Sequence, residues 1–243
     1  MSESIESKIR EELLEFADES HADFLFGLFK TGSGDYAQGL RLLGVRVPDQ
    51  RKIARKYYMD ASKKDILGLL RDPYHDFRHA GLLILILKYE KATSDSDRNF
   101  LYNLYVENLD YVDNWNLVDT SAYKIVGEHL LKRDRTFLYQ LAESGHLWRE
   151  RVAIVATYRF IKDGDFSDSL KITEIFLSHP HDLIHKACGW MLREVGKKDF
   201  NVEYDFLMKY YNRMPRVMLR YAIEKFPPAL REDFIKGRVK VDF

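Results

Sequence analysis

Residues 182–198 read DLIHKACGWMLREVGKK. Ile184, Ala187, Cys188, Met191, Leu192 and Val195 recur at steps of three and one, a spacing that gathers side chains on one face of an α-helix and on no face of a strand. With that stripe turned to a core, Lys186, Trp190, Arg193 and Lys197 fall at i, i+4, i+7 and i+11 on another face, a tryptophan among three cations. The same helical period runs through Ile5, Ile9, Leu13 and Phe16, through Ile66, Leu69 and Leu70, and through Val118, Ala122, Ile125 and Val126. No segment alternates convincingly with period two. The pattern predicts an all-α chain.

Turn and breaker residues divide the helical text at Thr31-Gly32-Ser33-Gly34, Val47-Pro48-Asp49, Asp72-Pro73, Ser144-Gly145, Asp163-Gly164-Asp165, His179-Pro180, Met214-Pro215 and Pro227-Pro228. Similar helices follow the breaks: RHAGLLILI from Arg78, WNLVDTSAY from Trp115, RVAIVATYR from Arg151, KACGWMLRE from Lys186 and RYAIEKF from Arg220. Their anchors stand 37, 36, 35 and 34 residues apart. A period near 35 with a helix pair per unit is the mark of an α-solenoid such as HEAT or TPR repeats, in which each unit's apolar face is covered by its neighbour. The expected architecture is one curved domain over residues 1–243 with a concave basic groove: an acidic capping helix in 1–23, repeats over 24–236 and a C-terminal tail in 237–243.

Composition agrees. Of 243 residues, 46% are apolar and 31% charged, which excludes wholesale disorder, and 13 glycines with 6 prolines are too few for a turn-rich β protein. A single cysteine excludes a disulfide framework and a cysteine-based zinc module, so Cys188 is read as core packing in a reducing compartment. The longest apolar run, Ala80 to Leu87, is far too short to span a bilayer. A soluble, cytoplasmic chain is expected, without membrane contact or secretion signal.

Net charge is zero, with 38 bases against 38 acids, but unevenly spread. Residues 1–23 hold eight acids and two bases; residues 41–56 hold six bases against Asp49; residues 213–240, with Arg213, Arg216, Arg220 and Lys240 among their eight bases, hold three acids. In the unit before Lys186, Arg151, Tyr158 and Lys162 share a face by helical arithmetic. Stacked repeats would merge such faces into one track, and cations interleaved with aromatics suit a phosphate backbone. A solvated surface with Trp190 in the core is the competing reading. Asp119, one turn from Trp115 at the edge of an apolar stripe, breaks the basic run. Either it forms a structural ion pair with Arg151 of the next repeat, or its carboxylate supports a developing positive charge or a nucleophilic water beside a bound sugar-phosphate backbone. Both readings place it near Arg151.

Five stretches occur in order: FKTGSGDYAQGLRLLGVRVPDQRKIARKYY from Phe29, NWNLVDTSAYKIVGEHL from Asn114, LWRERVAIVATYRFIK from Leu147, HDLIHKACGWMLREVGKKD from His181 and MPRVMLRYAIEKFP from Met214. As a set they closely resemble the AlkD-type DNA alkylation-repair glycosylases, a family of HEAT-like repeats, over roughly residues 20 to 236. The resemblance implies removal of cationic N3- and N7-alkylpurines from duplex DNA, without metal or cofactor and without drawing the base into a pocket. It implies that Trp115 packs on the damaged nucleotide's deoxyribose, that Asp119 is the catalytic aspartate, that Arg151 engages the phosphate near the lesion, and that Trp190 packs on the same nucleotide. Lys186, Arg193, Lys197, Arg216 and Arg220 are the further cations expected on DNA, and a monomer is expected. Many relatives carry an aspartate where this chain has Asn116, and an acid where it has Leu40.

The chemistry suits one carboxylate. Alkylation makes the purine cationic, so it leaves neutral and needs no general acid, while the sugar becomes oxocarbenium-like. Opposite charges about 4 Å apart at an effective dielectric near 20 attract by roughly 4 kcal/mol. The alternative is a non-catalytic repeat module that binds damaged or branched DNA, and a third class is a protein scaffold. Lys30-Thr31-Gly32-Ser33-Gly34 lacks the strand and the Gly-Lys-Ser/Thr ending of a phosphate loop, so it reads as an interhelical loop. His179, His181 and His185 read as capping and groove contacts rather than metal ligands. Tyr57-Tyr58 and Tyr210-Tyr211 read as aromatics at the core's rim.

Overall fold

The computed structural model describes residues 4–239; the counted Glu3 and Lys240, and the end of the predicted tail, lie outside them. Every named element is helical, and no strand forms among the described residues; Arg41 and Tyr74 make one isolated bridge. The chain forms two compact units, 1–117 and 118–243.

The first unit holds α1 (Ile5–Glu15), α2 (Glu19–Phe29), α3 (Val47–Tyr57), α4 (Lys63–Leu70), α5 (His75–Lys91) and α6 (Asp95–Val106). Side-chain oxygens of Ser4, Asp18, Ser62 and Ser94 cap orphan amides at four of these N-termini, and Pro48 opens α3 where a missing N–H costs nothing. α5 packs on α1, α3, α4 and α6 and is buried almost all round, which is why RHAGLLILI shows no polar face. Its Asp76, 1% exposed, accepts from the Leu43 and Val45 amides at 2.7 and 2.9 Å and so ties the 30–46 loop to the core. α1 lies on α3, α4 and α5 with Ile9 and Leu13 fully buried. Its acids meet the basic run: Glu12 binds Lys56 and Tyr57, and Asp18, just beyond the helix, binds Arg46 at 3.4 Å. Part of the charge contrast read as a polyanion surface is therefore satisfied within the unit.

α7 (Trp115–Ala122) begins in the first unit and runs into the second. It continues as a π-helical segment, Tyr123–Gly127, and α8 (Glu128–Leu130). α9 (Thr136–Ala142), α10 (Leu147–Ala156), α11 (Tyr158–Lys162), α12 (Ser167–Ile175), α13 (Asp182–Lys198), α14 (Phe200–Tyr210), α15 (Arg216–Ala222) and α16 (Pro228–Lys236) follow. The anchor helices pack in sequence: the π segment on α10, α10 on α13, α13 on α15. Ile184, Ala187, Cys188, Met191, Leu192 and Val195 are each 0% exposed, as the spacing predicts. Tyr210 and Tyr211, read as rim aromatics, are instead core residues at 4% and 7% exposure.

Two glycines show the repeat in atomic terms. A Cβ on Gly127 would stand 2.3 Å from the Ala156 carbonyl oxygen and 2.8 Å from Arg159 Cβ. A Cβ on Gly189 would stand 2.4 Å from the Met218 carbonyl oxygen and 2.5 Å from Tyr221 Cβ. The partners are offset by the same 29 and 32 residues in both cases, so the same helix-on-helix contact occurs twice. Gly189→Ala forces a methyl into backbone that cannot move aside like a side chain, and should destabilise by about 1–3 kcal/mol. At this chain length that lowers the thermal midpoint by several degrees; an unchanged midpoint would mean that the two helices can separate to admit the methyl at no cost.

α14 buries Glu203, 2% exposed, and burial pushes its carboxyl up to about 8, with Glu194 adding to the effect and Arg193 opposing it. The folded chain keeps this proton where the unfolded chain, near 4.5, has released it. Stability from this group is thus full below about pH 4.5 and lost as pH rises toward 8. Glu203→Gln imitates the protonated acid. Denaturant unfolding at pH 5 and pH 8.5 should show the variant gaining a few kcal/mol on the wild type at the higher pH; parallel curves would mean Glu203 is ionised in its site.

Candidate functional site

In the second unit the centre of the site is a carboxylate held by a guanidinium. Arg151 Nε donates to Asp119 Oδ1 at 2.9 Å and Nη2 donates to Oδ2 at 2.8 Å, while Nη1 donates to the Leu183 carbonyl. The fork geometry fixes the plane of the carboxylate as well as its position. Arg151 is 5% exposed, and the Asp119 side chain retains 21% exposure. The expected proximity of the pair is met. Of the three residues expected on one face, Arg151 is buried, Tyr158 half-buried and Lys162 exposed, and one turn residue, Thr157, separates α10 from α11.

Trp190 is half-buried on α13, its ring centroid 5.8 Å from that of Tyr158, which in turn lies 5.2 Å from Tyr123 in an edge contact. Trp190 is therefore not the core residue of the competing reading. The cations predicted beside it all have acidic neighbours. Lys186 pairs with Asp182 at 2.8 Å, Lys197 with Glu194 at 2.7 Å, and Arg193 with Glu224 and, at 3.6 Å, with Glu194. Exposed Arg216 donates to the Ile235 carbonyl at 2.6 Å; Arg220 is exposed and has no ion pair to a described residue. Surface pairs of this kind are worth about 0–1 kcal/mol, so a phosphate can exchange for the resident carboxylate.

In the first unit, Trp115 Nε1 donates to the Tyr36 hydroxyl at 3.1 Å, and the indole meets Phe29 edge-on at 5.5 Å, against a cluster of Ala22, Phe29, Ala37 and Leu42. Leu40 also packs there. Asn116 Oδ1 accepts from His75 Nε2 at 2.9 Å. Burial drives the His75 ring down to about 4, so it is a neutral donor at physiological pH, and a neutral amide is the fitting partner. In the 30–34 loop the amides a phosphate would need are occupied: Gly32 donates to Asp35 and Gly34 to Gln38.

The histidines serve the turn before α13. His181 Nδ1 caps the helix through the Leu183 amide, His185 donates to the His179 carbonyl, and His179 bridges Glu150 and the His181 amide. No group of three or more His, Cys, Asp or Glu among the described residues is placed to hold a metal ion, and no helix there is long and apolar enough to cross a membrane.

A family described as "DNA alkylation repair enzyme" matches residues 9–226, nearly the whole chain. The chain belongs to that family. A solved structure, a "predicted DNA alkylation repair enzyme from Enterococcus faecalis", has the same fold, with a TM-score of 0.68 at 12% identity over 87% of this chain and 97% of that one. No curated protein matches.

The neighbours of the expected residues are only partly signalled in the sequence. Tyr123 stands four residues after Asp119 and eight after Trp115, a signal of the same face, and Tyr158 lies in the RVAIVATYR anchor. Nothing in the sequence signals the Leu183 carbonyl or the Tyr36 hydroxyl, because both contacts come from distant loops and ends of helices.

Proposed function

We propose that this chain is a monofunctional DNA glycosylase that hydrolyses the N-glycosidic bond of purines made cationic by N3 or N7 alkylation, in duplex DNA and without flipping the base. The observation that carries the reading is a partly exposed carboxylate, Asp119, fixed in plane and position by the forked contact with Arg151. Preorganised negative charge beside the sugar stabilises an oxocarbenium-like transition state with no reorganisation at the moment of reaction. The leaving base departs neutral, so the single carboxylate suffices.

The guanidinium discounts that charge. An attraction of roughly 4 kcal/mol at about 4 Å is opposed by roughly 2 kcal/mol from a cation about 8 Å away at the same effective dielectric. The surplus of about 2 kcal/mol is roughly thirtyfold in rate. The π faces of Trp115 and Trp190 beside a cationic sugar add about 0.5–2 kcal/mol. Asp119 and the two tryptophans are thus the catalytic residues of the proposal, and Arg151 the positioning residue. Lys186, Arg193, Lys197, Arg216 and Arg220 supply exchangeable phosphate contacts, and the chain works as a monomer on alkylated duplex DNA without a cofactor.

The test is product analysis on duplex DNA carrying 7-methylguanine and 3-methyladenine. A glycosylase yields free methylpurine and an abasic site in an intact strand. Restored unmodified purine would indicate direct reversal, and DNA bound with no base released would make the chain a binding module.

A further inference from the structure

Between the tail of α3, the start of α4, the end of α5 and the start of α6, the first unit carries a recess of about 500 Å³. Buried Ile66 and Leu101 line it, together with two apolar side chains that water reaches, Met59 at 74% and Phe100 at 48% exposure. Lys63, Lys88 and Lys91 join them, and none of the three forms an ion pair with a described residue. Lys186, Arg193 and Lys197, by contrast, each have a carboxylate of their own. Asp97, the one carboxylate among the lining residues, accepts from the Ser94 hydroxyl at 2.6 Å. Lys63 holds its ammonium 5.4 Å from the Phe100 ring centroid, and half-buried Lys88 donates to the Met59 carbonyl at 3.2 Å. Lys88 and Lys91 stand in the last turn of α5, where the helix dipole favours cations, but Lys63 stands in the first turn of α4, where the dipole opposes them. Helix stability therefore does not account for the three charges together. The recess is also remote from Trp115. α5 has 17 residues, so its ends stand about 24 Å apart; His75 at the first end bonds Asn116 beside Trp115, and Lys91 closes the other.

We infer that this recess docks a partner protein through a short acidic segment that carries one large apolar side chain, the side chain entering beside Met59 and Phe100 and the carboxylates meeting Lys63, Lys88 and Lys91. A concave apolar site ringed by unpaired cations suits a ligand that is apolar at its centre and anionic at its edges. A duplex backbone offers phosphates but no apolar group to fill the recess, so it would leave Met59 and Phe100 unused. A purely apolar segment would bury the ammonium of Lys88 further without a counter-charge, which is costly. The acids of α1 that a second copy of this chain could offer are already engaged, Glu6 by Arg10 and Glu12 by Lys56. A partner seated here leaves the Trp115 end of α5 uncovered, and neither the charge nor the shape of the recess depends on the glycosylase reading.

The probe is a set of short fluorescein-labelled peptides, each with one phenylalanine, leucine or tryptophan among aspartates and glutamates, titrated with the full chain by fluorescence anisotropy at low salt. At least one should bind with a dissociation constant below about 100 μM. Its affinity should fall about tenfold or more when the apolar residue becomes alanine or the acids become amides. Met59→Asp should weaken that peptide by about tenfold to a hundredfold while changing affinity for intact duplex DNA less than about threefold. Lys63→Glu should weaken it by about tenfold without lowering the thermal midpoint, because an acid in the first turn suits the helix dipole. No peptide bound at about 1 mM, binding that ignores either the acids or the apolar residue, or Met59→Asp and Lys63→Glu that bind as wild type does, overturns the docking site. A loss of duplex affinity in Met59→Asp equal to its loss of peptide would give the recess to DNA, and capture of wild type but not Met59→Asp by phosphatidylglycerol vesicles would give it to a lipid surface; either result overturns the docking site too. Base release from methylated duplex, measured on the same preparations, reports on the glycosylase reading separately: release without peptide binding sinks the docking site alone, and peptide binding without release sinks the glycosylase alone.

Discussion

Asp119→Asn should cut release of 7-methylguanine from duplex DNA by about 10²-fold or more while leaving binding of the duplex intact or tighter. The substitution keeps the shape of the side chain, so the Arg151 fork loses one charge-assisted contact but little geometry. The attraction of roughly 4 kcal/mol between carboxylate and oxocarbenium disappears, and the repulsion of roughly 2 kcal/mol from the guanidinium remains. With every 1.36 kcal/mol worth a factor of ten, the loss reaches hundreds. Binding moves the other way because the site changes from neutral to positive beside phosphates. A variant that releases base at the wild-type rate would remove Asp119 from the chemistry.

Arg151→Ala should weaken turnover and binding together and should also lower stability, a different signature. The substitution removes the anchor of Asp119, leaves the Leu183 carbonyl without its donor, and turns a neutral pair into a lone carboxylate. Breaking a buried pair costs about 3–5 kcal/mol, and the partial exposure of Asp119 puts this case at the low end. The thermal midpoint should fall by roughly 10 °C. A freed carboxylate adopts other rotamers, and misplacement by about 1 Å costs on the order of a hundredfold in rate. The lone charge also repels the DNA backbone. Adding Arg151→Ala to Asp119→Asn distinguishes positioning from direct phosphate contact. If Arg151 acts through Asp119, the double variant releases base no more slowly than Asp119→Asn, a strong departure from additivity; if it holds a phosphate, affinity falls again in the double variant with a salt slope smaller by about 0.9.

The helical character of the chain was legible because its strongest stripe, in residues 184–195, obeys the period without exception and is fully buried. α5 carried no such stripe, since the helices around it bury every position from His75 to Ile86. The end of α10 was not readable at all. ATYR contains neither glycine nor proline; at the break the buried Thr157 hydroxyl donates to the Ile154 carbonyl and accepts from the Ser169 hydroxyl twelve residues on. The pairing of Asp119 with Arg151 was legible from the repeat, because an acid at the edge of one apolar stripe and a base in the next unit stand 32 residues apart. The burial of Arg151 was not, because it depends on a backbone carbonyl whose position no side-chain pattern reports.

The proposed glycosylase must lower the barrier to N-glycosidic cleavage of a cationic purine. It is tested most directly by single-turnover release of 7-methylguanine from a defined duplex, with protein in excess and the spontaneous rate measured in parallel. First-order release of the free base about a hundredfold or more above the spontaneous rate is expected, with an intact abasic strand left behind. Release at the spontaneous rate by protein shown to be bound to the same duplex would contradict it.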